Sequence, residues 1–530
     1  MAGFSQPPLS RDQLVLISTT LDDAVPEDHP VRLFHELLST LDWSSWNNHY
    51  CQVAGQPPIP PMVMAGVLLY GLTHQIRSSR RLEWACKNAV DFMWLAECRQ
   101  IDHSTICQFR TQFEAELKGV FLQIGRLAMG MGMIRLNQVG LDGTRVKANS
   151  SRHSTATAKT LEERLEALDQ QINELFTQAQ ASDQADQDLF GDSCPTTTLP
   201  KKLANLEKRQ EALRIALENA KAIDAKRAKN KESEEKAKKP RPAKVPVADP
   251  DASILPNKEG GFAPNFNPLA AVDGENGMVV DADVIRGASE ASTVMPTVDR
   301  IEENFGRVPD DLLADTTFGT GNNLSDLEDR GVTSYMPTES TKRLDKNPAE
   351  RADLTQPVPE RDWPQLPRRP QSGKLDRLAF IYDSSADCYY CPMGRILELV
   401  QTKTKDRASG NDSVYHVYEC SSCQGCPLAG ECISASCSAR TVSHDQHETA
   451  RSAAAARLNT EHGQATYRRR AWIAETVYAI IKAQMGLRQF LHRGIDKVRT
   501  EWLWACTAFN IQKLMRAVAG LRARLGTIPG

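Results

Sequence analysis

The sequence has no apolar run near the roughly 20 residues that cross a bilayer, and its start has no basic stretch leading into an apolar one. Neither a membrane span nor a secretory leader is therefore expected, and the reading is a cytoplasmic protein without membrane partners. An excess of one charge is also missing, since 64 Lys and Arg against 67 Asp and Glu leave a net charge of −3. Total charge by itself points to no polyanionic partner. Basic residues gather locally instead, in RSSRR (77–81), KNKESEEKAKKPRPAK (229–244) and YRRR (467–470), so a basic track needs no basic total. In a cytoplasm the 13 cysteines are expected as thiols or metal ligands rather than disulfides.

What is present divides the 530 residues into several pieces, more than one core can hold. Residues 1–135 read as an all-α domain: PPMVMAGVLLYGLTHQI, SSRRLEWACKNAVDFMWLAEC and IDHSTICQFRTQFEAELKGVFLQIG each combine helical apolar spacing with a Pro or polar start. Residues 136–157 begin an α/β core. In 158–228, Leu161, Leu165, Leu168, Ile172 and Leu175 repeat every three or four residues, and Leu203, Leu206, Leu213 and Leu217 nearly do, so a coiled-coil helical hairpin is predicted. A basic, Pro-containing linker over 229–262 follows.

The core resumes over 263–339 with FNPLAAVDGENGMVVDADVI, whose DGENG turn marks a hairpin. A helix over 293–305, a strand before Asp315, a helix at NNLSDLEDRG and a strand at GVTSYMPT complete it. Residues 340–445 are irregular and then cysteine-rich, and 446–530 form C-terminal core helices.

Three acids stand where a site is easily built. Asp142 lies in GLDGTRVKA, a strand entering a turn, and Asp315 ends the strand of DDLLADTTFG, at the carboxyl edge where α/β sheets carry ligands. Glu475 lies on a helix, given apolar residues at 473, 477, 480 and 481. Such a trio of hard oxygen donors suits Mg²⁺ or Mn²⁺, and paired ions can activate one oxygen and stabilise another in phosphodiester chemistry. Asp273 and Asp283 are rival ligands near strand ends, with Asp273 better suited to a structural role beside the turn.

The run Asp142 to Ser150 (DGTRVKANS), the run Ala314 to Gly319 (ADTTFG) and the set Tyr467, Arg470, Glu475, Lys482 together resemble the motifs of DDE transposases of bacterial insertion sequences. Four residues separate Arg470 from Glu475 where that pattern commonly has three, which leaves Arg468 and Arg469 as alternatives for the arginine. The resemblance extends to Asp102–Arg110 (DHSTICQFR) and to the tail after Gly486, and so covers most of the chain.

It implies a ribonuclease-H-like catalytic core behind an N-terminal helix-turn-helix-like domain, with Asp142, Asp315 and Glu475 as catalytic metal ligands. It further implies double-stranded DNA as partner, namely terminal inverted repeats and target, a homodimer or higher assembly on DNA, and a nucleoid-associated location. DNA contacts are expected from Ser104, Thr105, Gln108 and Arg110, early on their helix, and from Lys147, Arg470, Lys482, Arg488, Arg493 and Lys497. Alternatives are a domesticated or inactive DNA-binding derivative, and a metal-dependent nuclease that only hydrolyses.

Seven cysteines (388, 391, 420, 423, 426, 432, 437) crowd the insertion with Cys-x2-Cys spacings that suit a tetrahedral zinc ion. The resemblance favours Cys391, Cys423, Cys426 and Cys432 as the zinc set and leaves Cys388, Cys420 and Cys437 as spares.

Overall fold

The computed structural model describes residues 20–50, 58–190, 200–232, 242–257, 260–287, 289–338, 347–405, 413–434 and 437–526. They fall into two compact units. One takes the chain up to Ile124 together with 480–487 and everything from Thr500; the other takes 125–479 and 488–499. The tail expected to stay with the core from 446 onward is thus shared between them.

The first unit is helical: α1 (Pro30–Ser39), α2 (Ser44–Asn47), α3 (Pro61–Thr73), α4 (Ser79–Asn88), α5 (Val90–Leu95), α6 (His103–Gln112) and most of α7 (Glu114–Gly130). Helix α3 is apolar nearly all round and is buried almost throughout, as an inner helix must be. Trp46 is the hub, with its ring 5.2 Å from those of Phe109 and Phe113 and 6.3 Å from that of Trp504. Burying these aromatics draws the C-terminal segment into this unit, because such rings carry the largest apolar areas. Trp502, Trp504 and Phe509 are core residues, as their apolarity suggests.

In the second unit β1 (Gln138–Gly143) is followed by β2 (Val146–Lys147) and β3 (Thr155–Ala156). Helices α8 (Ala158–Phe190) and α9 (Pro200–Glu232) then pack on each other through Leu161, Leu168, Leu213, Ala216 and Ala220, with Leu165, Ile172, Leu206 and Leu217 half-buried. The seam is the leucine stripe read from the sequence, narrowed by two alanines; the side chain of Leu203 lies outside the described residues. So do residues 233–241 of the expected basic linker, whose remainder is partly regular: β4 (Val245–Pro246) pairs with β3, and β5 (Ser253–Pro256) pairs with the next strand.

That next strand is β6 (Phe262–Asp273), joined by the DGENG turn to β7 (Val279–Ile285); then come α10 (Val294–Phe305), β8 (Asp311–Leu313), α11 (Gly321–Asp329) and β9 (Thr333–Tyr335). One seven-stranded sheet results. Strand β1 is central, antiparallel to β6 on one side and parallel to β8 on the other; β6 also pairs antiparallel with β7, and β8 pairs parallel with β9. Asp273 is fully buried beside the turn, where its Oδ2 accepts from the Arg135 and Leu136 backbone N–H groups at 3.0 and 2.8 Å and its Oδ1 from Glu275 N–H at 2.9 Å. It anchors the hairpin. Asp283 accepts from Arg499 at 2.9 Å, so both rival acids are occupied structurally.

Residues 347–379 are irregular, as their proline content predicts, apart from short 3₁₀ turns. The cysteine-rich part is more regular than expected. Strands β10 (Ile381–Asp383), β11 (Cys388–Tyr390), β12 (Ile396–Lys405), β13 (Ser413–Cys420) and β14 (Arg440–Asp445) pair in chain order as an antiparallel meander. Alternation of apolar and polar residues in SVYHVYEC and RTVSHD supports it, and Tyr389, Leu397, Tyr418 and Val442 form its core. After α12 (Ala429–Cys432), which precedes β14, come α13 (Glu448–Asn459), α14 (Glu461–Arg470), α15 (Thr476–Ala483) and α16 (Ile495–Gly526).

Candidate active site

Asp142 is the next-to-last residue of β1, opposite Ala270 of β6. Val139 and Leu141 point into the core, and Gly140 between them is required by close approach: a Cβ there would stand 2.8 Å from Ile473 Cγ2. The segment after α14 therefore presses directly on β1 beneath the acid. Tyr478 fixes the far side by donating its hydroxyl proton to the Asp142 carbonyl oxygen.

Asp315 lies two residues past β8, where its Oδ1 accepts from the Thr317 N–H at 2.8 Å and from the Thr317 hydroxyl at 2.5 Å. This self-closed turn holds the carboxylate at the strand's carboxyl end. Because β1 and β8 are parallel neighbours, both acids emerge from the same sheet edge.

Glu475 reaches the same region from the helical segment, by a route the helical spacing does not reveal. Between α14 and α15 residues Ala471–Glu475 form a π-helical turn, which accommodates one residue more than an α-turn does. With that turn, Arg470 and Glu475, five apart, share a face; the Arg470 guanidinium stands 3.6 Å from Asp142 Oδ2 and 3.9 Å from Glu475 Oε1. Arg469 turns elsewhere, donating to Gln138 Oε1 at 2.5 Å and to the Gly274 carbonyl at 3.3 Å, and Arg468 is exposed. The departure from the expected arginine spacing thus coincides with the π-turn.

A fourth acid enters that the sequence did not single out. Glu290, between β7 and α10, accepts from Asn267 Nδ2 at 2.5 Å and from the Thr317 hydroxyl at 3.2 Å, and a Cβ on Gly143 would come within 2.3 Å of its Oε1. It lies in an irregular loop with no motif around it. A glycine after Asp142 and a polar Asn in an apolar strand were the available signals, and both have other ordinary explanations.

Burial pushes the Asp142 carboxyl up to about 6; Arg470 and the Gly143 N–H oppose this, and the Asp315 and Glu290 charges add to it. Asp142 is 16% exposed and Glu475 62%, so the site runs from a buried floor to an open rim. Glu290, Thr316 and Thr317 also line a cleft of about 1010 Å³ that continues to Arg377, Tyr382, His444 and Arg451.

In the same unit Lys147, Arg488, Arg493 and Lys497 are exposed. The backbones of Lys147 and 488–490 are joined, with Phe490 N–H donating to the Lys147 carbonyl at 2.9 Å, and Arg493 donates to the Asn149 carbonyl at 2.8 Å. Three of the expected cations, Lys147, Arg488 and Arg493, therefore lie on chain segments that touch one another. Lys482 is half-buried in the first unit.

In the first unit Ser104, Thr105 and Gln108 are exposed on α6, and Ser104 and Gln108, with Ser78, Ser79, Arg80 and Thr111, line an open groove of about 560 Å³. Asp102 caps this helix by accepting from the Ser104 N–H at 3.0 Å. Arg110 corrects the expectation. It is 8% exposed and sits near Glu501 and Arg77, while its carbonyl accepts from Trp504 Nε1 at 3.0 Å; two residues beyond Gln108, about half a turn, the helix has rotated it into the core. Among the described residues, one set of three donor atoms lies mutually within 4.8 Å: Glu83, Asp102 and His103. Those acids are already engaged, Glu83 with Lys87 at 2.8 Å and Asp102 with the cap.

In the meander, Cys391, Cys423, Cys426 and Cys432 line one cavity, and Cys420 joins them. Cys388 and Cys437 do not line it. No three of the described sulfurs come within 4.8 Å of one another, so the thiols ring the space rather than fill it.

The fold and site define an α/β protein with carboxylates gathered at one sheet edge, and two family models say which kind. A model described as Transposase DDE domain matches residues 390–515, and one described as Transposase domain (DUF772) matches residues 19–112. Over those two stretches the chain is similar to transposases, which supports a DDE transposase of the insertion-sequence type. The first match contains Glu475 and Arg470 and the second contains Ser104 to Arg110; Asp142 and Asp315 fall outside both. Neither a curated protein nor a solved structure gives a match.

Proposed function

We propose that this transposase binds the ends of its element through α6 and cleaves and joins DNA with Asp142, Asp315 and Glu475. The observation that carries the reading is the Arg470 guanidinium between Asp142 and Glu475, in a site whose other wall is the Asp315, Thr317 and Glu290 network. The strand order β7-β6-β1-β8-β9, antiparallel and then parallel, supports a ribonuclease-H-like core, and the paired helices α8 and α9 support a coiled-coil insertion within it.

Hard carboxylate oxygens gathered at one edge fit Mg²⁺ or Mn²⁺, because a divalent cation would compensate the charge of a carboxylate such as Asp142, which burial, with a smaller part from Asp315 and Glu290, disfavours in its charged form. Asp142, Asp315 and Glu475 would hold the ions, with Glu290 beside them; bound there, such ions activate an attacking oxygen and stabilise a leaving one. The protein's own groups orient. Thr317 aims Asp315, Tyr478 pins the β1 backbone at Asp142, and Arg470 offers a fixed positive charge where a scissile phosphate would sit. Lys147, Arg488, Arg493 and Lys497 then neutralise flanking phosphates, and Ser104, Thr105 and Gln108 contact DNA from α6.

The test is cleavage of an element-end duplex with Mg²⁺, comparing wild type with Asp142→Asn, Asp315→Asn and Glu475→Gln. All three variants should lose cleavage and strand transfer while still retarding the duplex. Equal cutting by all four proteins would overturn the assignment. Cutting by wild type without joining a 3′ hydroxyl end to a second duplex would indicate a hydrolytic nuclease.

A further inference from the structure

We infer that Glu290 is a fourth metal ligand of the carboxylate site, sharing an ion with Asp315, and that the buried Asn267 is the positioning residue that aims it. The inference rests on the metal-dependent reading of that site and adds to it a ligand that no sequence motif marks.

Glu290 is held at both its backbone and its carboxylate. Its carbonyl accepts from the Thr293 N–H at 3.0 Å and from the Thr293 hydroxyl at 2.7 Å, which fixes the chain just ahead of α10. Its Oε1 accepts from Asn267 Nδ2 at 2.5 Å. Asn267 lies in β6, is 2% exposed, and has its Oδ1 buried without a hydrogen-bond partner. An unpaired buried acceptor costs about 1–3 kcal/mol. The amide is therefore unfavourable at one end, and what it does at the other is orient Glu290.

The carboxylate so held reaches the neighbours of both aspartates. A Cβ on Gly143, the residue after Asp142, would stand 2.3 Å from Glu290 Oε1 and 2.8 Å from its Cδ, so the group lies directly against the chain there. On the other side, Glu290 Oε2 and Asp315 Oδ1 lie 3.2 and 2.5 Å from the same Thr317 hydroxyl oxygen. A hydroxyl has one proton to donate. The shorter contact takes it, and among the described residues Glu290 Oε2 is left without another donor.

Positive charge serves only one half of the site. Arg470 stands 3.6 Å from Asp142 Oδ2 and 3.9 Å from Glu475 Oε1, whereas no Lys, Arg or His among the described residues forms an ion pair with Asp315 or Glu290. Two carboxylates that meet across one hydroxyl repel each other, and Asp142 feels the charge of both. A hard divalent cation relieves this, since Mg²⁺ needs only one or two carboxylates and completes its shell with water. Glu290 and Thr317 also line the cleft of about 1010 Å³, which gives an ion and its waters a way in.

Mn²⁺ is the probe, because it prefers carboxylate oxygen while thiols suit softer ions. Calorimetric titration into chelator-stripped full-length protein should show binding about 100-fold weaker for Glu290→Gln than for wild type, and about 10-fold weaker for Asn267→Leu. Glu290→Asp should recover part of the loss, since it restores the charge one methylene short. Glutamine can still accept from Asn267, so the metal-free melting midpoint of Glu290→Gln should not fall below that of wild type. A lower midpoint together with lost binding would make Glu290 a fold-holding residue and overturn the inference; unchanged binding by Asn267→Leu would overturn the role of Asn267. Unchanged Mn²⁺ affinity in Glu290→Gln, with binding lost in Asp142→Asn, would overturn Glu290 as a ligand and leave the trio of acids standing. Wild type binding no more tightly than Asp142→Asn would overturn the metal reading of the site, and Glu290 with it.

Discussion

Replacing Asp142 by Asn should stabilise the metal-free protein while abolishing cleavage. In the fold the carboxyl titrates at about 6 rather than its ordinary 3.8, chiefly because burial disfavours the charged form. A folded value above the unfolded one means that the native state holds the proton more tightly, so stability is greatest below 3.8 and is lost as pH rises towards 6. Above pH 7 the whole cost is present. Two units at about 1.4 kcal/mol each set an upper bound of about 3 kcal/mol, and losing the Arg470 interaction reduces the net gain to roughly 1–3 kcal/mol. At roughly 2–4 °C per kcal/mol, the melting midpoint should rise by about 2–12 °C. Thermal unfolding at pH 8 in chelator, repeated at pH 5 and with Mg²⁺, reads this out. The variant should melt higher at pH 8, the gap should shrink at pH 5, and Mg²⁺ should raise wild type more than the variant. A variant melting below wild type at pH 8 without metal would refute the reasoning.

The other expectations concern the groups around that acid. Glu290→Gln should keep the fold, slow cleavage on the order of 10–100-fold and raise the Mg²⁺ concentration needed, the scale seen when groups supporting metal ligands are removed; an unchanged Mg²⁺ titration would place it outside the site. Arg470→Ala should cost about 10²–10³ in turnover, as loss of an oriented charge does, and lower the metal-free midpoint at pH 8 by leaving Asp142 without its counter-charge, whereas Arg469→Ala should lower the midpoint by freeing Gln138 and Gly274. Gly143→Ala should impair cleavage, because its Cβ would meet Glu290 Oε1 at 2.3 Å and Leu269 at 3.0 Å, and turnover with circular dichroism would separate this from unfolding. Changing Lys147, Arg488 and Arg493 together to Ala should weaken duplex binding at low salt and flatten the dependence of log Kd on log salt by up to about 3.

Much of the fold could be read locally. The DGENG turn between two apolar runs became the β6 and β7 hairpin, and the leucine stripe became the seam of α8 and α9. Where reading failed, the deciding interaction was distant. Arg110 follows Gln108 closely on the same helix, yet the segment bearing Trp504 buries one and leaves the other exposed. The meander's pairing was hidden because its strands are short and interrupted by turns, so no segment shows its partner.

The sequence by itself offered the three acids with their motifs and indicated the strand end or helical segment at which each lies, because periodicity and turn chemistry act over a few residues. Only the tertiary structure decided that the π-turn brings Arg470 between Asp142 and Glu475, that Glu290 joins Asp315 through Thr317, and which five thiols share a cavity. Those are meetings of side chains up to hundreds of positions apart. Close packing sets them, and nothing in a local window carries them.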